Sequence, residues 1–387
     1  MTLKIQQLRK ELTKQAKKDK LEIVPSSSVV SWLFPGQFSY CLNEEFIWKK
    51  YGSLIGIKNE IHFHKIQPAI RWDDFSNHYL KKEKNNHHLA YFDMVTIGGG
   101  HIISKEKLSF FSEKVIQDLM EFLINNIGLK KENFIITYFP GEKLSEIGKN
   151  KKGFPKYDFD YDFPEDKDSK NIFLKMGFKE KQLKRDSSRN CFLLSDWVCG
   201  EIAPWGYRNE IHYKTKSGLL DIATIERLLW EPIYKNGKID SIRKWNKVFV
   251  IGGSGFERLS LLTNNLKKIQ EVENIKELYD FIKTLKKKNI ELITESIRLV
   301  HRIVTDTNGN LSDERSIKKP KERIEKFNKI KRNLIDLRKE ELEKAFKINA
   351  KINPWHPGLK KSIKSTIEVI EKYKESQKDW KEVRKNK

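Results

Sequence analysis

The chain has 387 residues, 38% hydrophobic and 33% charged, a folded globular balance that excludes a disordered polymer and is too long for one small core. No apolar run reaches the ~20 residues needed to cross a bilayer, which excludes a helical membrane protein. With 76 Lys and Arg against 53 Asp and Glu the net charge is +23, a field that favours a polyanion such as nucleic acid, although a generally lysine-rich proteome gives the same sign.

In chain order, residues 3–18 read as a short charged helix, and residues 21–24 as a strand running into the loop Pro25-Ser26-Ser27-Ser28. Residues 60–72 alternate Ile61, Phe63, Ile66 and Ile70 with polar neighbours and predict a strand. A polar loop over 73–87 follows. Residues 89–97 predict the return strand of a long hairpin, ended by Gly98-Gly99-Gly100. Leu108, Phe111, Val115, Leu119, Phe122 and Leu123 recur at helical spacing up to Gly128. Residues 134–138 predict a short buried strand. Residues 142–190, rich in Lys and Asp, read as an insertion or flexible loop region. Further strands are expected at 192–198, 209–213, 225–233 and 247–251. The class expected is α+β, an antiparallel sheet flanked by helices.

Composition shifts after about Asn265, so a domain over 1–265 is expected to precede a basic helical domain over 266–387. Residues 316–387 hold 23 Lys and Arg against 11 Asp and Glu, a bias better explained by a phosphate backbone than by a solvated helix face. Cys41, Cys191 and Cys199 lack paired or zinc-ligand spacing, which fits a reducing compartment. With no signal peptide at Met1–Lys4, the protein is expected to be cytoplasmic and to have no membrane partner. His62, His64, His87 and His88 cluster in sequence without the spacing of a zinc site.

The segment Val250-Ile251-Gly252-Gly253-Ser254-Gly255-Phe256-Glu257-Arg258-Leu259 is the most informative. An apolar run ends in three glycines within four residues and delivers an arginine to a helix start. Arginine is suited to gripping phosphate with two parallel hydrogen bonds. A second arginine, Arg71, ends the strand Ile66–Arg71, and the return strand carries Tyr91-Phe92-Asp93-Met94. The pair resembles motifs 2 and 3 of class II aminoacyl-tRNA synthetases, and more specifically the alanyl-tRNA synthetase family. Further pieces follow in order. Leu8-Arg9-Lys10-Glu11 through Ser26-Ser27-Ser28 resembles the family's opening helix and serine-rich turn. Ile70-Arg71 with Asn77 and His88 resembles motif 2. Trp197, Ala203-Pro204-Trp205-Gly206 and Asn209-Glu210-Ile211 resemble the segment before motif 3. Ser296-Ile297-Arg298 and Asp306 through Arg315 resemble the start of the tRNA-binding helices.

The resemblance implies acid activation by ATP and transfer of the acyl group to tRNA, with ATP and Mg2+ required. The attacking carboxylate is already an anion, so the reaction needs positioning and cations rather than a general base. By resemblance, Arg71 and Arg258 are the catalytic pair: Arg71 holds the α-phosphate and the acid's carboxylate, and Arg258 the γ-phosphate and one face of adenine. Phe92 stacks on the other face, and Gly253 and Gly255 complete the ATP site. Trp197, Leu229, Glu231, Ile251 and Gly253 are the candidate acid-binding residues. Glu210 and Glu257 are candidate metal carboxylates, with Glu257 alternatively a buttress of the turn. Arg298, Arg302 and Arg315 are candidate tRNA contacts.

The sequence departs from the family at four places. The family's aspartate before the motif 3 glycines, which holds the amino group of alanine, is Ile251 here, and a neutral side chain cannot pair with an ammonium. The family's Trp-Asn run is replaced by Glu226-Arg227-Leu228-Leu229-Trp230-Glu231, where Glu231, or else Glu201, could supply a replacement charge. The motif 2 loop lacks the expected lysine around Asp73–Asn77, and Trp355-His356-Pro357-Gly358-Leu359 stands where the family reads the acceptor stem, near Ser312. The chain is expected to lack the family's editing and dimerisation domains, and the oligomeric state stays open, a monomer included. Two other readings remain: a tRNA-independent acyl-adenylate ligase loading a carrier protein, peptide or small amine, and a non-catalytic tRNA-binding regulator.

Overall fold

The computed structural model describes residues 3–31, 38, 61–81, 88–102, 105–147, 157–194, 204–312 and 321–385. Its centre is a nine-stranded sheet of order β1-β2-β3-β11-β10-β9-β4-β7, with β8 paired to β9. The strands are β1 Glu22–Val24, β2 Ile61–Ile70, β3 Tyr91–Ile102, β4 Phe134–Tyr138, β7 Leu183–Arg185, β8 Phe192–Leu193, β9 Trp205–Thr215, β10 Gly218–Lys235 and β11 Lys238–Gly255; β5 Glu142–Lys143 and β6 Asp162–Phe163 form a separate ribbon. Only β1–β2 and β4–β7 pair in parallel, so the expected α+β antiparallel sheet is present.

Asn236 (φ 52°) and Gly237 (φ 75°) turn β10 into β11. Two successive left-handed residues make the tight hairpin turn whose twist suits two long strands. Gly98-Gly99-Gly100 does not end a strand, contrary to the sequence expectation: the three sit inside β3, opposite Ile251, Val250 and Phe249. At Gly98 a Cβ would stand 3.1 Å from the Val250 carbonyl oxygen, so the bare backbone lets the strands approach.

Helix α1 (Ile5–Lys18) buries Ile5, Leu8, Leu12 and Ala16, and α2 (Lys105–Glu121) buries Val115, Ile116, Leu119 and Met120, all in one cluster with the sheet. Residues 142–190 are not simply a flexible loop. Among the described ones lie β5, β6, α3 (Lys167–Lys175) and β7, fastened to β10 by Arg227, which is fully buried and reaches Asp166 (2.5 Å), Asp168, Ser169 and Ser112. Charge-assisted bonds at every face of the guanidinium make that burial tolerable.

Helices α4 (Phe256–Thr263), α5 (Glu273–Thr284), α6 (Ile290–Thr307), α7 (Lys321–Arg332), α8 (Lys339–Ile352) and α9 (Ile363–Lys385) follow the sheet. A second buried cluster joins Leu278, Ile297, Val300, Phe327, Phe346 and Ile370 to Ile70, Phe75, Tyr79 and Tyr91 of the β2–β3 hairpin. The helical part is therefore packed on the hairpin that carries Arg71. No helix among the described residues is long and apolar enough to cross a membrane.

Candidate active site

Residues paired in an antiparallel ladder share a face, and alternate residues along a strand change face. A Cβ on Gly252 would stand 3.0 Å from Leu119 Cδ2, so Gly252 faces α2, and Ile251, Gly253 and Gly255 face away from it. Pairing carries that second face outward. It takes in Phe92, Met94, Thr96 and Gly98 on β3, Lys65, Gln67 and Ala69 on β2, Thr224 and Glu226 on β10, and Arg208 and Glu210 on β9.

The glycine turn of this face delivers Arg258 to a helix start, as its sequence suggests. Phe92 Cδ2 lies 3.5 Å from where a Cβ on Gly255 would sit, so the ring lies against bare backbone. A Cβ on Gly253 would come no closer than 3.8 Å to the Val95 carbonyl oxygen and 3.9 Å to Met94 Sδ, which leaves room above that residue. Arg258 stands in the first turn of α4 at 18% side-chain exposure and donates through Nη1 to the Asp221 carbonyl oxygen (2.7 Å) and to Asp221 Oδ2 (2.8 Å). Arg71 follows β2, extends the ladder by donating its N–H to the Ala90 carbonyl (2.8 Å), and is 47% exposed. Its Nε lies 3.6 Å from Asp74 Oδ2, a loose contact.

Glu210 accepts from Thr224 Oγ1 (2.9 Å), and burial together with nearby Asp221 pushes its carboxyl up to about 7. Asp221 Oδ1 is buried and has no hydrogen-bond partner among the described residues. Two crowded acids with an unsatisfied oxygen, beside an arginine, are the donor set a hard divalent cation takes. Asp221 was not foreseen in the sequence; its signal is the turn of β9 into β10, which sets Glu210 and Asp221 on neighbouring strands.

Glu257, the other carboxylate expected at a metal, is a buttress. It is fully buried, accepts from the Asp93 N–H (3.0 Å) and Asn274 Nδ2 (3.0 Å), and is pushed up to about 7 by burial and by Asp93. Arg298 and Arg302 are likewise internal. Arg298 donates to Glu295 (2.6 Å) and stacks over Tyr91 at 5.0 Å, while Glu295 accepts the Tyr91 N–H. Arg302 pairs with Asp306, which also accepts the Val29 N–H. Both arginines are buried, Arg298 against Tyr91 of the hairpin and Arg302 against Asp306 of its own helix, so neither is presented to a tRNA. Trp355 Nε1 and His356 Nε2 meet the buried Asp93 carboxylate at 2.9 Å, together with Arg9 Nη1 at 2.9 Å. Burial alone would raise the Asp93 carboxyl, but His356 and Arg9 hold it well below the usual range.

Around Ile251 the geometry differs from the expectation. Glu231 is taken by Arg243 (2.8 Å), and Leu229 is a buried residue bulged out of the β9–β10 register. The carboxylate directly across the ladder from Ile251 is Glu226, whose Oε1 accepts from Arg208 Nε (3.0 Å) and Nη2 (2.6 Å). The alternation of Arg208 and Glu210 with buried Asn209 and Ile211, and of Thr224 and Glu226 with Ile225 and Arg227, is the sequence signal for these two. Trp197, Glu201, His87 and Arg315 lie outside the described residues.

Two curated relatives match part of the chain: a cytoplasmic alanine–tRNA ligase of Drosophila melanogaster, 23% identical over 182 residues, and an alanine–tRNA ligase of Schizosaccharomyces pombe, 25% identical over 208 residues. The matches cover 45% and 51% of this chain and 17% and 19% of those relatives, so the chain matches under a fifth of their length. Two structures of pyrrolysyl-tRNA synthetase from Desulfitobacterium hafniense are similar at 12% identity, with TM-scores of 0.34 and 0.35, over 68% and 69% of this chain and 70% and 72% of theirs. No protein-family model matches the chain. With motif 2 and motif 3 residues on one face of an antiparallel sheet and its sequence likeness to alanine–tRNA ligases, the chain is a class II aminoacyl-tRNA synthetase-like protein.

Proposed function

We propose that the protein activates an amino acid, or a related carboxylic acid, with ATP and transfers the acyl group to the terminal ribose of a tRNA. The carboxylate oxygen bonds to the α-phosphorus, the bond to the β-phosphate's bridging oxygen breaks, and pyrophosphate leaves; the ribose hydroxyl then displaces AMP from the acyl carbon. The observation that carries this reading is the single sheet face on which Phe92 lies against Gly255, with Arg258 at the following helix start and the acids Glu210 and Asp221 beside it.

The ring of Phe92 offers a stacking surface for adenine, and Arg258 supplies charge for the phosphates. Arg71, held only loosely by Asp74, is available to the α-phosphate and the acid's carboxylate. Glu210 and Asp221 would hold Mg2+, which would neutralise phosphate charge. Glu226 lies across the ladder from Ile251 and would have to release Arg208 to take an amino group there. Residues 1–265 would carry activation and residues 266–387 the tRNA. Exchange of labelled pyrophosphate into ATP across a panel of acids tests the reading; exchange with none of them, while ATP still binds, overturns it.

A second reading is favoured by the burial of Arg298 and Arg302: the acceptor is a carrier protein, peptide or small amine rather than tRNA. Gel shifts with total tRNA at two salt concentrations separate the two, because a phosphate-driven complex weakens steeply with salt.

A further inference from the structure

The short helical run after Arg71 carries a constellation that the activation chemistry does not use. Trp72–Asp74 runs into a wider turn, Phe75–Leu80, which places Asp74 and His78 four residues apart on one side. His88 comes back from the other arm of the hairpin loop. Asp74 Oδ1 lies 3.8 Å from His78 Nε2 and 3.7 Å from His88 Nδ1, and the two imidazole rings are 5.1 Å apart. One ligand atom from each of the three residues falls within 4.8 Å of the others.

The two Asp74–histidine separations are ion-pair distances. They are close to the edge of a tetrahedron, ~3.4 Å, drawn by ligands at the ~2.0–2.1 Å of zinc–nitrogen and zinc–carboxylate bonds. His78 meets the group through Nε2; its other ring nitrogen, the buried Nδ1, has no hydrogen-bond partner among the described residues. Side-chain exposures of 14% for Asp74, 19% for His78 and 39% for His88 leave the group reachable from water. Two imidazoles and one carboxylate suit zinc and its neighbours, whereas Mg2+ and Ca2+ prefer oxygen alone.

We infer that Asp74, His78 and His88 form a binding site for one zinc-type divalent cation, which clips the two arms of the β2–β3 hairpin loop together. Three protein ligands leave a position for water or another donor. The clip also touches Arg71. Asp74 Oδ2 is that arginine's contact at 3.6 Å, and a cation drawing on the same carboxylate weakens its hold on the guanidinium. This last step rests on the proposed role of Arg71; the cation site itself does not.

The test begins with the full chain stripped by chelator. Zn2+ is then titrated against a competing chromophoric chelator, and Co2+ by its visible absorption. One equivalent should bind, with the Co2+ spectrum of a four-coordinate site. His78→Ala, His88→Ala and Asp74→Asn should each weaken binding by at least ~100-fold, while His62→Ala, on the opposite sheet face, leaves it unchanged. His78→Gln and His88→Gln keep the volume should an alanine variant unfold. No binding by the wild type, or binding that survives substitution of both His78 and His88, overturns the site. These titrations contain no ATP, so they stand whether or not pyrophosphate exchange is found. Where exchange is found, Zn2+ should change its rate in the wild type and not in His78→Ala; an equal change in both breaks the link to Arg71.

Discussion

Arg227 and Arg258 are served by the same long hairpin and do opposite things. Arg227 points to the α2 side, is fully buried, and has Asp166, Asp168, Ser112 and Ser169 around it. Arg258 belongs to the other side, keeps 18% exposure, and is held through one nitrogen by Asp221, itself crowded by Glu210. On the packed face the Arg227 guanidinium is matched within the protein, and breaking the match costs stability. On the other face Arg258 has a single carboxylate and Glu210 is crowded by Asp221, and under the proposed function a ligand completes them. Perturbed acids and incompletely paired cations gather where a protein holds something else.

The sharpest way to break this contrast is to substitute on both faces. Asp166→Ala should cost about 3 kcal/mol in urea unfolding, because it leaves the buried guanidinium only the half-exposed Asp168 as counter-charge and removes the acceptor of the Ser169 N–H. Arg258→Ala should cost under about 1 kcal/mol while abolishing pyrophosphate exchange. Equal losses from the two would deny that the faces differ. Glycines extend the comparison. A Cβ on Gly206 would stand 1.9 Å from the Arg227 carbonyl oxygen, beside the Leu229 bulge, so Gly206→Ala must displace backbone and should cost about 3 kcal/mol, the upper range of overpacking. Gly253→Ala meets nothing nearer than 3.8 Å. It should melt within a few degrees of the wild type and weaken ATP binding.

The sequence made the site face visible in part because glycine and arginine are loud residues. Gly253, Gly255, Arg258, Arg71 and Phe92 each stand in a local pattern that can be read without the fold. Asp221 and Arg208 act only through pairing across strands, and pairing register is not written in either strand alone. Glu257, Arg298 and Arg302 mislead for the same reason: a charged residue beside a motif reads as functional until burial shows it partnered inside, Glu257 and Arg298 against β3 and Arg302 with Asp306. The insertion at 142–190 looked loose because it is polar, yet Asp166 is polar in order to meet Arg227. The Asn236-Gly237 turn was legible, and would have joined two expected strands into one long hairpin.

Acid separates the faces by a smaller effect. His64 lies on the α2 side, fully buried, and burial together with His62 pushes its imidazole down to about 4 from an ordinary 6.5. A depressed folded value means the histidine's neutral form favours folding above pH 6.5, and that stability drains away as pH falls from 6.5 toward 4. His64→Leu removes the liability. Its stability relative to the wild type should rise by roughly 1–3 kcal/mol between pH 7 and pH 4.5, read from urea midpoints. A difference that does not change with pH would show that His64 is not held neutral.

Glu210→Gln is the mildest probe and the most specific to the site face. The carboxyl sits at about 7 against an ordinary 4.5, with burial the larger cause and Asp221 the second. A raised folded value costs nothing below pH 4.5 and its full amount above pH 7. At pH 8, in chelator, the amide should therefore stabilise the protein by about 1 kcal/mol, with the Thr224 hydroxyl still donating to the side-chain oxygen. Adding Mg2+ with ATP should raise the melting temperature of the wild type and raise that of the variant less, because the amide has lost the charge the cation answers. Were the variant no more stable in chelator, and equally stabilised by Mg2+ and ATP, Glu210 would be an ordinary buried acid. The surplus of negative charge on this face would then have no ligand to answer it.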